Sequence, residues 1–289
     1  MLVLKNNLFL RVVSTVVMIP CAFWLTKLGG MAFSFAVAAC LGLMLFELFD
    51  AFDLQTGRDD LVRRLKYTLI VSGIVAVCLM SVGDQALSFI MLGIIWMSSL
   101  LAGSVKCVYA EDGKEKRSLD FMKGLYFSTG VLYCILPSLA VIWMRGENCG
   151  FPIVIFLFSM VWSTDIGSYC VGKVLGGKRL CPSISPNKTW AGVWGGLGTS
   201  LLVSMAFFWW CDISLGVWQL AAACICSICA QMGDLFESFV KRRLNLKDSG
   251  NLIPGHGGIL DRVDSLIPVI CLVALLMLVY EVGQIIPVC

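Results

Sequence analysis

Charge is scarce in this chain. Only 14% of its 289 residues are Asp, Glu, Lys or Arg, against 58% hydrophobic, and the mean hydropathy is +0.87. Soluble globules carry about 25% charged residues, so that class is excluded and a polytopic membrane protein remains. Histidine is scarcer still, with one copy at position 256. No internal repeat is evident, and the acids sit at the ends of apolar runs, which weighs against a transporter that coordinates an ion at the bilayer midplane. The segment Lys5-Asn6-Asn7 and the apolar run behind it lack a small-residue cleavage site, so the run reads as a retained span. Gly167 to Lys173 approaches a phosphate-binding P-loop, but Val174 stands where Ser or Thr is required, which excludes a Walker site.

What the chain has is apolar length. Runs near the roughly 20 residues that cross a bilayer lie at 8–26, 30–49, 67–82, 85–104, 121–144, 151–170, 191–210, 215–235 and 264–284, which predicts an all-α membrane protein of about nine spans. The break between the third and fourth rests on Gly83-Asp84 alone. All of the 22 Lys and Arg residues except Lys27 and Arg145 fall in or beside the N-terminal segment and the loops 50–66, 105–120, 171–190 and 236–263. The positive-inside bias therefore predicts a cytoplasmic N-terminus, four cytoplasmic loops and an outside C-terminus. Arg58, Arg63, Arg64 and Lys66 read as topology signals and as attraction to anionic lipid. Among the 14 cysteines, Cys224, Cys226 and Cys229 share one apolar helix and read as packing residues, since zinc thiolates need a turn to converge. Cys149, Cys211 and Cys289 are predicted outside and are free to pair.

The polar chemistry concentrates between the last two apolar runs, in residues 238–264. Lys241, Arg242, Arg243, Lys247, Asp248, His256, Asp261, Arg262 and Asp264 all fall there, with the loop Pro254-Gly255-His256-Gly257-Gly258 between them. Just upstream, Asp234, Glu237, Ser238, Lys241 and Arg242 recur at three and four residues and share one helical face. A carboxylate one turn from a cation pair suits Mg²⁺ and a phosphate together, because Mg²⁺ takes hard oxygen ligands and shares them with substrate phosphates. Asp261 and Asp264, three apart, are predicted to stack on one face beside Arg262.

A second polar block follows the sixth span. Asp165 stands at its cytoplasmic end, then Gly172-Lys173, Gly176-Gly177-Lys178-Arg179 and Ser183-Ile184-Ser185-Pro186-Asn187-Lys188-Thr189. The pattern predicts a basic, hydroxyl-rich loop opening a helix at Pro186 or Thr189, where free N–H groups favour phosphate. The glycines of Ala191–Gly198 read as close helix packing. Residues 1–150 read as scaffold; Glu47, near Asp50 and Asp53 at a span end, reads as an interfacial acid. The stretch Tyr109–Ser118 reads as a solvated connector.

The run Ser238, Lys241-Arg242, Lys247-Asp248, Pro254-Gly255-His256-Gly257-Gly258, Asp261-Arg262-Val263-Asp264 closely resembles the signature of the phosphatidate cytidylyltransferases, also called CDP-diacylglycerol synthases. Asp165, Tyr169, Gly172, Gly176-Gly177-Lys178 and Ser185-Pro186-Asn187-Lys188-Thr189 resemble that family's second block, although Ala191 stands where the family has an acid. The resemblance implies transfer of the cytidylyl group of CTP to phosphatidic acid in the bilayer, with no nucleic acid involved and a homodimer left open. The Lys/Arg asymmetry places the site on the cytoplasmic face, of the inner membrane if the source is bacterial, and the chain reads as a single integral domain in which the family's catalytic half begins near 151. Asp234 and Asp261 are then the expected Mg²⁺ ligands with Asp264 next, and Lys241, Arg242, Lys247, Arg262, Lys178 and Lys188 the phosphate holders. Ser185, Thr189 and Ser238 join the substrate-binding set. Asp165 and Asp248 bind metal, nucleotide or a neighbouring cation, and His256 contacts phosphate or acts as a base. A CDP-alcohol phosphotransferase is disfavoured, because its multi-aspartate motif within one helix is missing.

Overall fold

The structure is a computed structural model that describes residues 17–53, 60–109, 115–119, 121–243, 246, 249–250 and 257–279, with backbone only at 52–53, 60–63, 105–109 and 115–119. In chain order its elements are α1 (Val17–Leu28), α2 (Gly30–Asp53), α3 (Asp60–Val82), α4 (Gln85–Ser104), β1 (Val105–Tyr109), β2 (Glu115–Leu119), α5 (Phe121–Gly146), α6 (Gly150–Leu175), β3 (Arg179–Cys181), β4 (Ser185–Thr189), α7 (Trp190–Trp210), α8 (Val217–Arg243), α9 (Leu260–Val263) and α10 (Leu266–Val279). Seven of them, α2 through α8 in the helical series, are long and apolar enough to cross a membrane; α1 and α10 are shorter apolar helices. The expected all-α, multi-pass architecture stands. Both predicted loops at 105–120 and 171–190 instead contain antiparallel two-stranded hairpins, β1–β2 and β3–β4.

The chain divides into two compact units. The first contains Leu28–Trp143 and Ser249–Leu260; the second contains Met18–Lys27, Met144–Asp248 and the chain from Asp261 onward. In the first, Leu41, Leu45, Ala76, Val77, Ile95, Val131, Ile135 and Leu139 make the buried core. Lys66, expected as a topology signal, is itself buried there and pairs with Asp50 while its ammonium lies 4.6 Å from the Phe46 ring centre. Glu47, read as an interfacial acid, is buried within the protein, where the backbone N–H groups of Ile259 and Leu260 reach its carboxylate.

In the second unit, α6 and α7 pack through small residues. A methyl on Gly167 would fall 1.9 Å from Thr199 Oγ1, and one on Gly195 2.3 Å from Val171 Cβ, so only glycine permits this approach. The Thr199 hydroxyl donates to the Ser163 carbonyl at 2.9 Å, and Thr164 and Ser227 hydroxyls meet at 3.1 Å. Both α6 and α8 run past their expected ends at 170 and 235, to Leu175 and Arg243. The polar face from Asp234 to Arg242 is therefore helical, as its spacing predicts. Gly176 and Gly177, at φ 60° and 93°, turn the chain out of α6 and into β3. Pro186 lies within β4, a correction to its expected place in a first helical turn; a two-stranded hairpin leaves room for a residue without an N–H. Of the two expected openings, Thr189 holds: it caps the helix that begins at Trp190, and its Oγ1 accepts from Gly192 N at 3.1 Å.

Candidate active site

The geometry of the second unit follows from two close approaches. Gly233 on α8 faces α10: a Cβ there would lie 2.4 Å from Pro268 Cγ and 2.7 Å from the Asp264 carbonyl. That contact brings the face carrying Asp234, Glu237 and Lys241 against the break before α10. The N-terminal end of α7, preceded by the β3–β4 hairpin, delivers Lys188, whose Nζ lies 2.6 Å from Asp234 Oδ2.

Acids converge around these contacts. Lys241 Nζ lies 2.8 Å from Asp261 Oδ1 and 3.5 Å from Glu237 Oε1. Asp264 Oδ1 accepts from the Ser265 backbone N–H at 2.7 Å and from the Ser265 hydroxyl at 3.1 Å. The same hydroxyl stands 3.3 and 3.4 Å from the two oxygens of Asp165, so Ser265 bridges these carboxylates. Asp165 feels the charges of Asp264, Asp234 and Lys188. Asp264 lies in the short break between α9 and α10. Burial pushes its carboxyl above the ordinary range, the Glu237 hydrogen bond opposes that, and the Asp234 charge adds to it.

Asp165, Lys188, Asp234, Lys241, Asp261 and Asp264 are thus brought together, as their spacing and the family pattern lead one to expect. Asp261 and Asp264 do not stack within one helix, because α9 is a single turn ending at Val263 and Asp264 follows it. Arg242 donates to the carbonyls of Ile184 (3.5 Å) and Leu246 (3.3 Å), tying α8 to the hairpin that holds Ser185. Lys178 and Arg262 are exposed and Ser238 is half-buried on α8. Lys247, Asp248 and His256 lie outside the described residues. Two participants escaped the sequence reading as site residues. Glu237 carries its own signal, standing one turn from both Asp234 and Lys241. Ser265 carries none, since a serine beside an aspartate at the start of an apolar run is unremarkable by pattern.

The donor chemistry fits Mg²⁺, which takes carboxylate oxygens and keeps places for phosphate and water. Among the described residues no three His, Cys, Asp or Glu side chains form a ready ligand set. Lysine ammonium groups rest on Asp234 and Asp261, so the positions where a cation is favourable are already marked by cations. A site completed by substrate phosphates is consistent with this arrangement. The cysteines of α8 at 224, 226 and 229 are free. Cys211 is free as well, whereas Cys149 is disulfide-bonded.

Comparison with known proteins gives a consistent result. The model of the cytidylyltransferase family matches residues 9–280. The phosphatidate cytidylyltransferase of Brucella suis biovar 1 is 35% identical over 271 residues, covering 91% of this chain and 90% of the relative. The phosphatidate cytidylyltransferase of Staphylococcus aureus strain COL is 39% identical over 186 residues, covering 64% of this chain and 70% of the relative.

Proposed function

The chain belongs to the cytidylyltransferase family, and from that membership we propose that it transfers the cytidylyl group of CTP to phosphatidic acid, giving CDP-diacylglycerol and pyrophosphate. The observation that carries the assignment of the site is the meeting of Lys188 with Asp234 and of Lys241 with Asp261 in one acid cluster at the polar ends of apolar helices. An oxygen of the phosphatidate phosphate attacks the α-phosphorus of CTP. The new O–P bond forms as the bond from that phosphorus to the bridging oxygen breaks, and the electron pair leaves with pyrophosphate. Phosphatidate arrives ionised, so no covalent enzyme intermediate is required and the task is to position and neutralise anions.

Lys188 and Lys241 exchange carboxylate partners for phosphate oxygens when the substrates enter. Their long stems permit this, and the displaced Asp234 and Asp261 are then available to the metal, with Asp264 held in reserve by Ser265. When bound, Mg²⁺ supplies charge neutralisation on the phosphates and on the departing pyrophosphate. Glu237 keeps Lys241 oriented between substrate and acid. Arg242 holds the hairpin, and Ser185 with it, at the end of α8.

The site faces the cytoplasm, where CTP is available, with the N-terminus on the same side. Support comes from the Lys/Arg asymmetry of the loops. In intact cells an impermeant thiol reagent is expected to label Cys211 and to reach Cys181 only after permeabilisation. Labelling of Cys181 from outside would reverse the orientation.

The activity is tested with purified protein, CTP, phosphatidate and Mg²⁺, scored for CDP-diacylglycerol. Formation of product with CTP and little with ATP is expected. Pyrophosphate release that does not depend on phosphatidate would overturn the acceptor, and equal turnover with ATP would overturn the nucleotide.

A further inference from the structure

One link within the second unit's acid cluster is a hydroxyl and not an ammonium. Ser265, in the break before α10, is 5% exposed. Its Oγ stands 3.1 Å from Asp264 Oδ1 and 3.3 and 3.4 Å from the two oxygens of Asp165. A serine hydroxyl carries one proton, so it donates to one of the two acids at a time. Asp264 Oδ1 already accepts from the Ser265 backbone N–H at 2.7 Å. The hydroxyl proton is therefore free to serve Asp165.

The backbones on either side are fixed without this contact. On α6 the Thr164 hydroxyl meets that of Ser227 on α8 at 3.1 Å, with both residues fully buried, and the Ser163 carbonyl accepts from Thr199 of α7 at 2.9 Å. At the start of α10, Pro268 and the Asp264 carbonyl close on Gly233 of α8. These contacts leave the direction of the Asp165 side chain unsettled, since it is exposed and meets the like charges of Asp264 and Asp234. Repulsion by those charges favours turning it away. We propose that Ser265 is a positioning residue for cytidylyl transfer: its hydroxyl holds the Asp165 carboxylate turned toward Asp264, which keeps that charge among the acids that a divalent cation neutralises. The inference rests on the cytidylyl-transfer reading of the acid cluster. Alanine at 265 removes the donor and little else, because the helix contacts lie elsewhere and Asp264 retains the backbone N–H.

The test compares wild type, Ser265→Ala, Asp165→Asn and the double variant as purified full-length proteins. Mn²⁺ retained in equilibrium dialysis against CTP is measured without phosphatidate, so that no transfer takes place, and turnover is measured separately against Mg²⁺ concentration. Ser265→Ala is expected to raise the Mn²⁺ concentration for half occupancy about 3- to 10-fold, as the loss of one hydrogen bond can. Its deficit in turnover shrinks as Mg²⁺ is raised. Asp165→Asn raises the Mn²⁺ requirement at least as far, and the double variant goes no further than Asp165→Asn, because without the carboxylate the hydroxyl has no charge to hold. Wild-type Mn²⁺ retention in Ser265→Ala overturns the inference, as does a loss that multiplies onto Asp165→Asn or a wild type that retains no Mn²⁺. If Ser265→Ala does not yield folded protein, Ser265→Cys takes its place, since a thiol is a weak donor, and wild-type retention there is equally fatal. Should wild type retain Mn²⁺ yet form no CDP-diacylglycerol, the functional reading fails, while the order of the four proteins in dialysis still decides whether Ser265 holds Asp165.

Discussion

The two units bury charge in opposite ways. In the first, Glu47 is met by backbone amides and Lys66 by Asp50, with the Phe46 ring beneath its ammonium. In the second, Asp165, Asp234, Glu237, Asp261 and Asp264 crowd one another, with Lys188 and Lys241 resting among them. A backbone amide cannot leave its acceptor without moving the chain. A lysine on a four-carbon stem can. The first arrangement therefore holds structure, and the second can be re-partnered by phosphates and a divalent cation. Burial alone does not point to a catalytic acid; mutual crowding of acids with exchangeable cations among them is the stronger pointer, because phosphates and a divalent cation can take over those partners.

The largest break in that comparison comes from removing one charge in the second unit at constant shape. Asp261→Asn is expected to lower turnover roughly a thousand-fold or more, several kcal/mol of transition-state stabilisation. Asp234→Asn should match it, and the double variant should fall little further, since both acids serve one cluster. Turnover against Mg²⁺ concentration, on protein shown to be folded, checks this; near wild-type activity at limiting Mg²⁺ would remove Asp261 from the metal site. A smaller effect is expected for Lys188→Met, since the Lys188 side chain is a quarter exposed and its ammonium rests on Asp234. KM for CTP should rise roughly 10- to 100-fold, the loss of a charged hydrogen bond to phosphate of ~1.5–3 kcal/mol, with kcat changed less. If kcat alone falls, Lys188 acts on the chemical step and not on binding.

Glycines sharpen the comparison at the level of packing. Gly233→Ala drives a methyl to 2.4 Å from Pro268 Cγ and 2.7 Å from the Asp264 carbonyl, at the contact that assembles the acids. It should cost about 1–3 kcal/mol of stability and lower turnover as well. Gly198→Ala on α7 meets nothing within 4 Å and should be neutral in both. Thermal unfolding in detergent and steady-state assays on the pair separate a crowded approach from a merely small residue.

Sequence pattern carried the helices and the acids unequally. The apolar runs located the membrane helices to within a few residues at many ends, because a bilayer imposes length directly. Helix ends failed where polar residues continue the helix beyond the apolar run, as in the last two turns of α8, since hydropathy measures the lipid and not the backbone. The hairpin β3–β4 was invisible for a related reason: Ser185-Pro186-Asn187-Lys188-Thr189 has the composition of a loop, and its pairing with Arg179–Cys181 is a tertiary fact. In the site, spacing exposed Asp234 and Lys241 on one face, but it failed for Asp261 and Asp264, because the helix between them ends at Val263. Periodicity could not join α6 to the start of α10, so the Ser265 bridge to Asp165 was out of reach. The backbone contacts of Glu47 were out of reach too, because position near a span end says nothing about what backbone folds over it.

The smallest expected effect tests whether charge in the first unit is structural. Lys66 is nearly buried, but its partner Asp50 keeps 55% of its side chain exposed. Lys66→Met therefore strands no charge: Asp50 turns to water, and the methionine fills the space of the lysine stem against the Phe46 and Phe49 rings, where a thioether packs well. Stability should change by less than about 1 kcal/mol, the usual worth of a solvent-screened pair, and kcat and KM for both substrates should stay within about twofold. Asp50→Asn, the reverse deletion, leaves a buried ammonium without its acid and should cost more stability than Lys66→Met. Melting curves on the two variants give that order, and steady-state assays give the second reading. A tenfold loss of turnover in Lys66→Met would assign the charges of the first unit to the reaction and dissolve the contrast between the units.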